Sequence, residues 1–346
     1  MSSTRSPDPV LSPPPGHGVD ADPWIGRRLG KYLLVRALGR GGMGAVYEAR
    51  DEMLDRRVAV KLLTDGAEPG TAATPPGTES SGARRLLAEA RRAARLNHPN
   101  VVTVHEVDAF EGGYFLVMEL IDGHSAQDAL AAGGAMPWRQ AALVMIEACR
   151  GLAAAHRAGL VHRDIKPANL LIARGGTCKL ADFGIAKGAI DAGSQTGGLA
   201  LTATAAGVAV GTPTYMSPEQ CRSEEVDERS DVYSLGATFY ALLTGRPPYV
   251  AETAVQVMFA HCGNPIPDPR DADPDVPEAC AAVVRRAMAK RRTDRYGSAE
   301  EMLRDLEAAV VGGKTAVAPA VAGPVPVDPV AALAAPDPEA CAVTTV

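Results

Sequence analysis

The sequence contains no run of eighteen apolar residues, so no stretch of it reads as a membrane-spanning helix. Its opening, MSSTRSPDPVLSPPPGHG, lacks the apolar core of a secretory signal. The six cysteines are Cys149, Cys178, Cys221, Cys262, Cys280 and Cys341. They form no C-x-x-C pair and no Cys/His cluster at zinc-ligand spacing, which speaks against a zinc site or disulfide framework and for free thiols in a cytoplasmic protein. Positive charge is not in excess either. The net charge is −6, which disfavours nucleic acid as a partner. No internal repeat is present. What remains is a chain of 346 residues, 46% apolar, long enough for one large two-lobed domain or two ordinary ones.

Residues 1–26 are rich in Pro, Ser and Asp and read as a disordered arm, and 313–346 as a disordered Ala/Pro-rich tail. Between them the pattern changes once. The segments LLVRALG, AVYEARD and RRVAVKLL look like strands separated by turns, and NVVTVHEVDAF and GGYFLVMEL add two more. Residues 64–83 are dense in Gly, Pro, Thr and Ser and predict a flexible insert. RRLLAEARRAARL, at 84–96, predicts the one helix of this half. Beyond residue 124 the periodicity becomes helical, at 138–157, 231–243, 277–289 and 298–310, with short strands near 170–172 and 178–180. A strand-rich half followed by a helix-rich half predicts a cleft between them.

Three constellations carry chemistry. Gly39-Arg40-Gly41-Gly42-Met43-Gly44 is a G-x-G-x-x-G sequence, in which missing Cβ atoms let backbone N–H groups approach a phosphate. By itself it reads equally well as a flexible hairpin. A dinucleotide fold needs a helix after the glycines, whereas AVYEARD is strand-like. The following strand ends in Val58-Ala59-Val60-Lys61, and its lysine is a candidate phosphate clamp. His162-Arg163-Asp164-Ile165-Lys166-Pro167-Ala168-Asn169 sets a carboxylate, a cation and an amide within eight residues. The carboxylate can accept a hydroxyl proton and the amide oxygen can bind a hard cation. Asp182-Phe183-Gly184 follows a predicted strand and offers a second metal-binding carboxylate.

The order of Gly-rich loop, VAVK, HRDIKPAN, DFG and SPE resembles the eukaryotic-type (Hanks-type) serine/threonine protein kinases of bacteria. The resemblance covers about residues 30–311. It implies an α+β, bilobal protein-kinase fold, with a small β-rich N-lobe containing one helix (27–118), a hinge (119–123) and a larger, mainly α-helical C-lobe (124–312). It implies ATP with Mg²⁺, or Mn²⁺ as an alternative, and protein substrates with Ser/Thr acceptors. By matching position, Lys61 resembles the α/β-phosphate contact paired with Glu89, Asp164 the residue that deprotonates the acceptor, and Lys166 the γ-phosphate contact. Asn169 and Asp182 resemble the metal ligands. Gly39, Gly41 and Gly44 would cover the phosphates. Leu38, Val46, Ala59 and Leu171 would enclose the adenine, with Met118 behind it and the backbone of Glu119 and Leu120 at the hinge. Glu219 is expected to pair with Arg295, and Asp231 to brace the catalytic loop.

Between Gly184 and Gly211 lies a Gly/Ala/Ser/Thr-rich segment containing Thr202 and Thr204. A phosphothreonine there would pair with Arg163, so autophosphorylation that orders the loop is expected. Trans-autophosphorylation would bring a homodimer into play. Three other readings compete: a pseudokinase, a small-molecule kinase and a dehydrogenase. The filled catalytic positions, the GTPTYMSPE segment and the strand after the glycines argue against each in turn.

Overall fold

Alternation along one strand organises the first half of the molecule. In β4 (Arg56–Thr64), Val58, Val60 and Leu62 face one apolar cluster, while Ala59 and Leu63 face another. Lys61 falls on the second face by the same period of two. The computed structural model describes residues 22–41, 44–64, 90–110, 113–183 and 213–312. Within them β4 sits inside a six-stranded sheet with β1 (Arg28–Leu29), β2 (Tyr32–Gly41), β3 (Gly44–Asp51), β5 (Val104–Phe110) and β6 (Gly113–Met118), in the order β1-β2-β3-β4-β6-β5. Every pairing is antiparallel. Tyr32, Leu34, Tyr47 and Phe115 fill one face with the β4 valines. Each such side chain, fully buried, contributes about 1.5–3 kcal/mol. The other face packs on Ala90, Ala93, Val102 and Val104.

The β2–β3 hairpin closes with Gly41 opposite Gly44. Gly44 has φ +124°, and a Cβ there would lie 2.0 Å from the Leu62 carbonyl oxygen, so only glycine lets the hairpin lie this close to β4. Of the helix expected at 84–96, residues 90–93 are described and helical. Glu89 and the segment 65–83 lie outside the described residues.

The second half is built around α4 (Glu228–Thr244), whose residues from Ser230 to Leu243 are all buried. A helix apolar on every side belongs in the middle of a core. Asp227 caps its first turn and Gly245, at φ 74°, ends it. Around it lie α1 (Ala126–Gly133), α2 (Trp138–Arg157), α3 (Pro218–Cys221), α5 (Ala254–Gly263), α6 (Glu278–Ala287) and α7 (Ala299–Gly312). A small sheet of β7 (Gly123–Ser125), β8 (Leu170–Ala173) and β9 (Cys178–Leu180) sits beside them. The halves meet at backbone level, where Val102 N–H donates to the Leu180 carbonyl at 2.8 Å. Both halves belong to one contact unit that ends at Gly312.

The expected helix at 138–157 is α2 itself, and those at 231–243, 277–289 and 298–310 appear as α4, α6 and α7. Sequence periodicity missed α1 and α5. Both are short, and exposed Val255 and Phe259 blur the apolar face of α5. Their capping boxes, Ser125/Asp128 and Thr253/Gln256, were the available signal. Among the described residues no helix is long and apolar enough to cross a membrane.

Candidate active site

Asp164, Lys166 and Asn169 lie on the irregular segment between α2 and β8, which is regular only in the 3₁₀ turn Pro167–Asn169. Such a segment needs tertiary hydrogen bonds to hold it. The Asp231 carboxylate, fully buried on α4, supplies two, accepting from the N–H groups of His162 at 2.7 Å and Arg163 at 2.8 Å. His156 Nε2 lies 2.8 Å from the same carboxylate. Arg163 is thereby held at φ 64°, a left-handed conformation costly for a side chain other than glycine. Gln220 Nε2 donates to the Arg163 carbonyl at 2.8 Å, tying α3 to the same turn.

These anchors gather the polar groups. Lys166 Nζ lies 2.8 Å from Asp164 Oδ2, and Asn169 Nδ2 donates to the Asp164 carbonyl at 2.7 Å. Asn169 Nδ2 also lies 3.2 Å from Asp164 Oδ2. Ala181 N–H donates to the Asn169 carbonyl at 2.9 Å, which fixes the neighbouring Asp182 against the loop. Asp182, at φ 57°, is the second left-handed residue of the site. His162 is a positioning residue here. Its Nε2 faces the Ala181 carbonyl at 3.0 Å and its Nδ1 faces Asp164 N–H at 3.3 Å, so the proton sits on Nε2. Burial pushes its pKa down and keeps the ring neutral.

Lys61 reaches across from the sheet and pairs with Asp182 at 2.8 Å. Behind this pair a cavity is lined by Leu63, Val104, Leu116, Met118 and Phe183. Asn169 Oδ1 and the Asp182 carboxylate are hard oxygen donors. Mg²⁺ and Mn²⁺ take one or two such protein ligands together with phosphate oxygens and water, so the residues fit a nucleotide-borne cation.

Above this polar floor, Val46, Leu120 and Leu171 pack against the cluster that contains Ala59 and Met118. Leu38 is at the rim and 39% exposed. The Glu119 N–H is already taken by the Thr103 carbonyl at 2.9 Å. Among the described residues no carbonyl accepts from the N–H of Leu120 or Ile121, and sequence reading had not named Ile121. It had also missed Lys179, whose Nζ lies 2.8 Å from both Glu119 carboxylate oxygens and ties the 119–123 segment to β9. Gly39 and Gly44 lie in the hairpin strands, and Gly41 ends β2. Thr202, Thr204 and Gly184 lie outside the described residues.

The GTPTYMSPE segment re-enters the described chain at Pro213. Glu219 accepts from Arg295 through both oxygens, at 2.7 and 2.9 Å, and neither side chain is more than 2% exposed. Burial would raise the Glu219 pKa, but Arg295 and Ser230 outweigh it and hold the carboxyl at about 2. The expected brace by Asp231 and the expected Glu219–Arg295 pair are both present.

The fold and the polar cluster leave the class open, and comparison with known proteins makes it specific. The family model described as "Protein kinase domain" matches residues 32–306. The chain is 40% identical over 305 residues to the probable serine/threonine-protein kinase SCO3848 of Streptomyces coelicolor, covering 86% of this chain and 43% of that protein. It is 40% identical over 281 residues to PknH of Mycobacterium bovis (81% and 44% covered) and to PknB of Mycolicibacterium smegmatis (80% and 42%). The chain thus spans less than half the length of these relatives. The crystal structure of Rad53 1–466 in complex with AMP-PNP superposes with a TM-score of 0.63 at 22% identity, covering 79% of this chain and 64% of that one. The protein belongs to the protein kinase family, with bacterial Hanks-type serine/threonine kinases among its relatives.

Proposed function

We propose that this protein transfers the γ-phosphoryl group of ATP to serine and threonine hydroxyls of proteins, using residues 27–118 and 124–312 as lobes and 119–123 as the hinge. The observation that carries the reading is the 2.8 Å pair between Lys61 and Asp182. It brings a cation from the sheet and a carboxylate from the helical half to the edge of the Asp164, Lys166 and Asn169 cluster.

Phosphoryl transfer asks a protein for positioning and charge neutralisation more than for covalent chemistry. Lys61 binds the α/β-phosphates, paired with Glu89. Gly39, Gly41 and Gly44 cover the phosphates with backbone N–H groups. Leu38, Val46, Ala59 and Leu171 hold the adenine, Met118 backs it, and the Glu119 carbonyl with the N–H groups beyond it reads its edge. Asn169 and Asp182 hold the divalent cation, Mg²⁺ or Mn²⁺. The cation, when bound, neutralises charge on the phosphates. Asp164 orients the acceptor hydroxyl and takes its proton as the new O–P bond forms and ADP leaves. Lys166 neutralises the moving phosphoryl oxygens.

Autophosphorylation at Thr202 and Thr204, read by Arg163, would order the segment between Gly184 and Gly211, with a homodimer as the trans-acting species and the cytoplasm as its setting. Incubation of the chain with radiolabelled ATP, Mg²⁺ and a protein acceptor tests the reading. Label on serine and threonine with wild type, and a loss of about 10²-fold or more with Asp164→Asn, is expected. No transfer by wild type, or equal transfer by both, overturns it.

A further inference from the structure

A histidine outside every motif named above holds the segment that precedes the SPE sequence. His261 is on α5, far along the chain from the catalytic loop, and is fully buried. Its Nε2 lies 3.0 Å from the Thr214 carbonyl oxygen and its Nδ1 lies 2.9 Å from the Tyr233 hydroxyl. A carbonyl can only accept, so the ring proton must be on Nε2, and Tyr233 must donate to Nδ1. The result is a directed chain: Tyr233 O–H to His261, His261 N–H to Thr214. Burial pushes the His261 pKa down to about 4, which keeps the ring in this neutral form.

The rest of the neighbourhood fixes the ring. Tyr249 meets it edge-on at 4.9 Å. Lys290 Nζ donates to the His261 carbonyl at 2.9 Å and to the Tyr249 hydroxyl at 2.8 Å. The recipient segment is the turn Pro213–Tyr215, and its next carbonyl, at Tyr215, accepts from Ser234 Oγ at 2.8 Å. Beyond it, Gln220 reaches the Arg163 carbonyl beside Asp164. A fully buried ring bonded to the backbone of a turn that leads within a few residues to Gln220, and through it to the Arg163 carbonyl beside Asp164, suits positioning better than space filling.

We propose that His261 is a positioning residue for the protein acceptor: through the Thr214 carbonyl it sets the turn against which the acceptor chain is laid, without acting on ATP. This inference rests on the kinase reading. A purely structural role would lower stability and impair both substrates alike. A positioning role separates them.

The test is steady-state kinetics on the full chain, varying ATP and myelin basic protein in turn. Transfer by wild type comes first, and its absence would fail the kinase reading before any variant is made. His261→Phe keeps the ring contacts and loses both hydrogen bonds. It should raise KM for the acceptor about tenfold, the equivalent of one net hydrogen bond, with KM for ATP within about twofold. His261→Gln can still donate to Thr214 and accept from Tyr233, and should stay within about threefold of wild type. An unchanged acceptor KM in His261→Phe, a parallel rise in both KM values, or a Gln variant as impaired as Phe overturns the proposal. Should His261→Phe fail to bind a non-hydrolysable ATP analogue, Tyr233→Phe decides. That variant removes the donor to Nδ1, and a rise of about threefold in acceptor KM alone is expected. An acceptor KM at the wild-type value overturns the proposal.

Discussion

The two halves bring their polar residues to the cleft by different physics. In the sheet half, Lys61 arrives by strand periodicity, one position among Val58, Ala59, Val60 and Leu62 whose apolar packing fixes β4 on both faces. In the helical half, Asp164, Lys166, Asn169 and Asp182 sit on segments with almost no regular structure, two of them beside or at left-handed residues. Hydrogen bonds accepted by Asp231 and His162 and donated by Gln220, buried or partly buried, hold them. Apolar packing is non-directional and tolerates substitution, whereas a buried polar anchor fails when one partner is removed. The helical half should therefore lose its site geometry through single polar changes, and the sheet half should lose stability before geometry.

The largest expected effect is chemical. Asp164→Asn should lower phosphoryl transfer by about 10²–10⁴-fold, measured as kcat, while affinity for an ATP analogue stays within about threefold. Next is the buried pair under the SPE segment. Glu219→Ala strands Arg295 and should cost about 3–5 kcal/mol in urea denaturation. The same pair gives a pH signature. The Glu219 carboxyl moves from an ordinary 4.5 to about 2 on folding. Its contribution is complete above pH 4.5 and is lost as pH falls toward 2, so Glu219→Gln should flatten stability over that window.

Leu62→Ala sharpens the contrast. It should cost about 2–5 kcal/mol of stability yet leave kcat within about threefold at a temperature where the protein stays folded. Asp231→Ala should instead lower kcat by more than tenfold, with a stability cost of about 2–6 kcal/mol from the two orphaned N–H groups of His162 and Arg163 at about 1–3 kcal/mol each. If Leu62→Ala lowers kcat as much as Asp231→Ala does, the comparison is wrong. The smallest effect belongs to the exposed Arg150–Glu307 pair, where Arg150→Ala should change stability by less than about 1 kcal/mol.

Legibility in the sequence followed the same divide. The strand run through Val60-Lys61 announced both its geometry and its lysine, and the bounds of α2 were readable from its helical spacing. The motifs around Asp164 and Asp182 identified which residues mattered without saying what holds them. His261, Lys179 and Ile121 left no pattern. His261 and Lys179 act through partners distant in the chain, Thr214 for His261 and Glu119 for Lys179. Of the backbone groups expected at Glu119 and Leu120, the Glu119 N–H is spent on Thr103.

The sequence by itself determined the alternation that orients Lys61, the helical spacing of the second half and the residue types that phosphoryl transfer demands, because these depend on periods of two and 3.6 and on the chemistry of single side chains. Only the tertiary structure decided that Lys61 meets Asp182, that Asp231 holds the catalytic turn and that His261 holds the Thr214 carbonyl. Those contacts join residues dozens of positions apart, and a hydrogen bond is set by where atoms end up after packing, which no local repeat encodes.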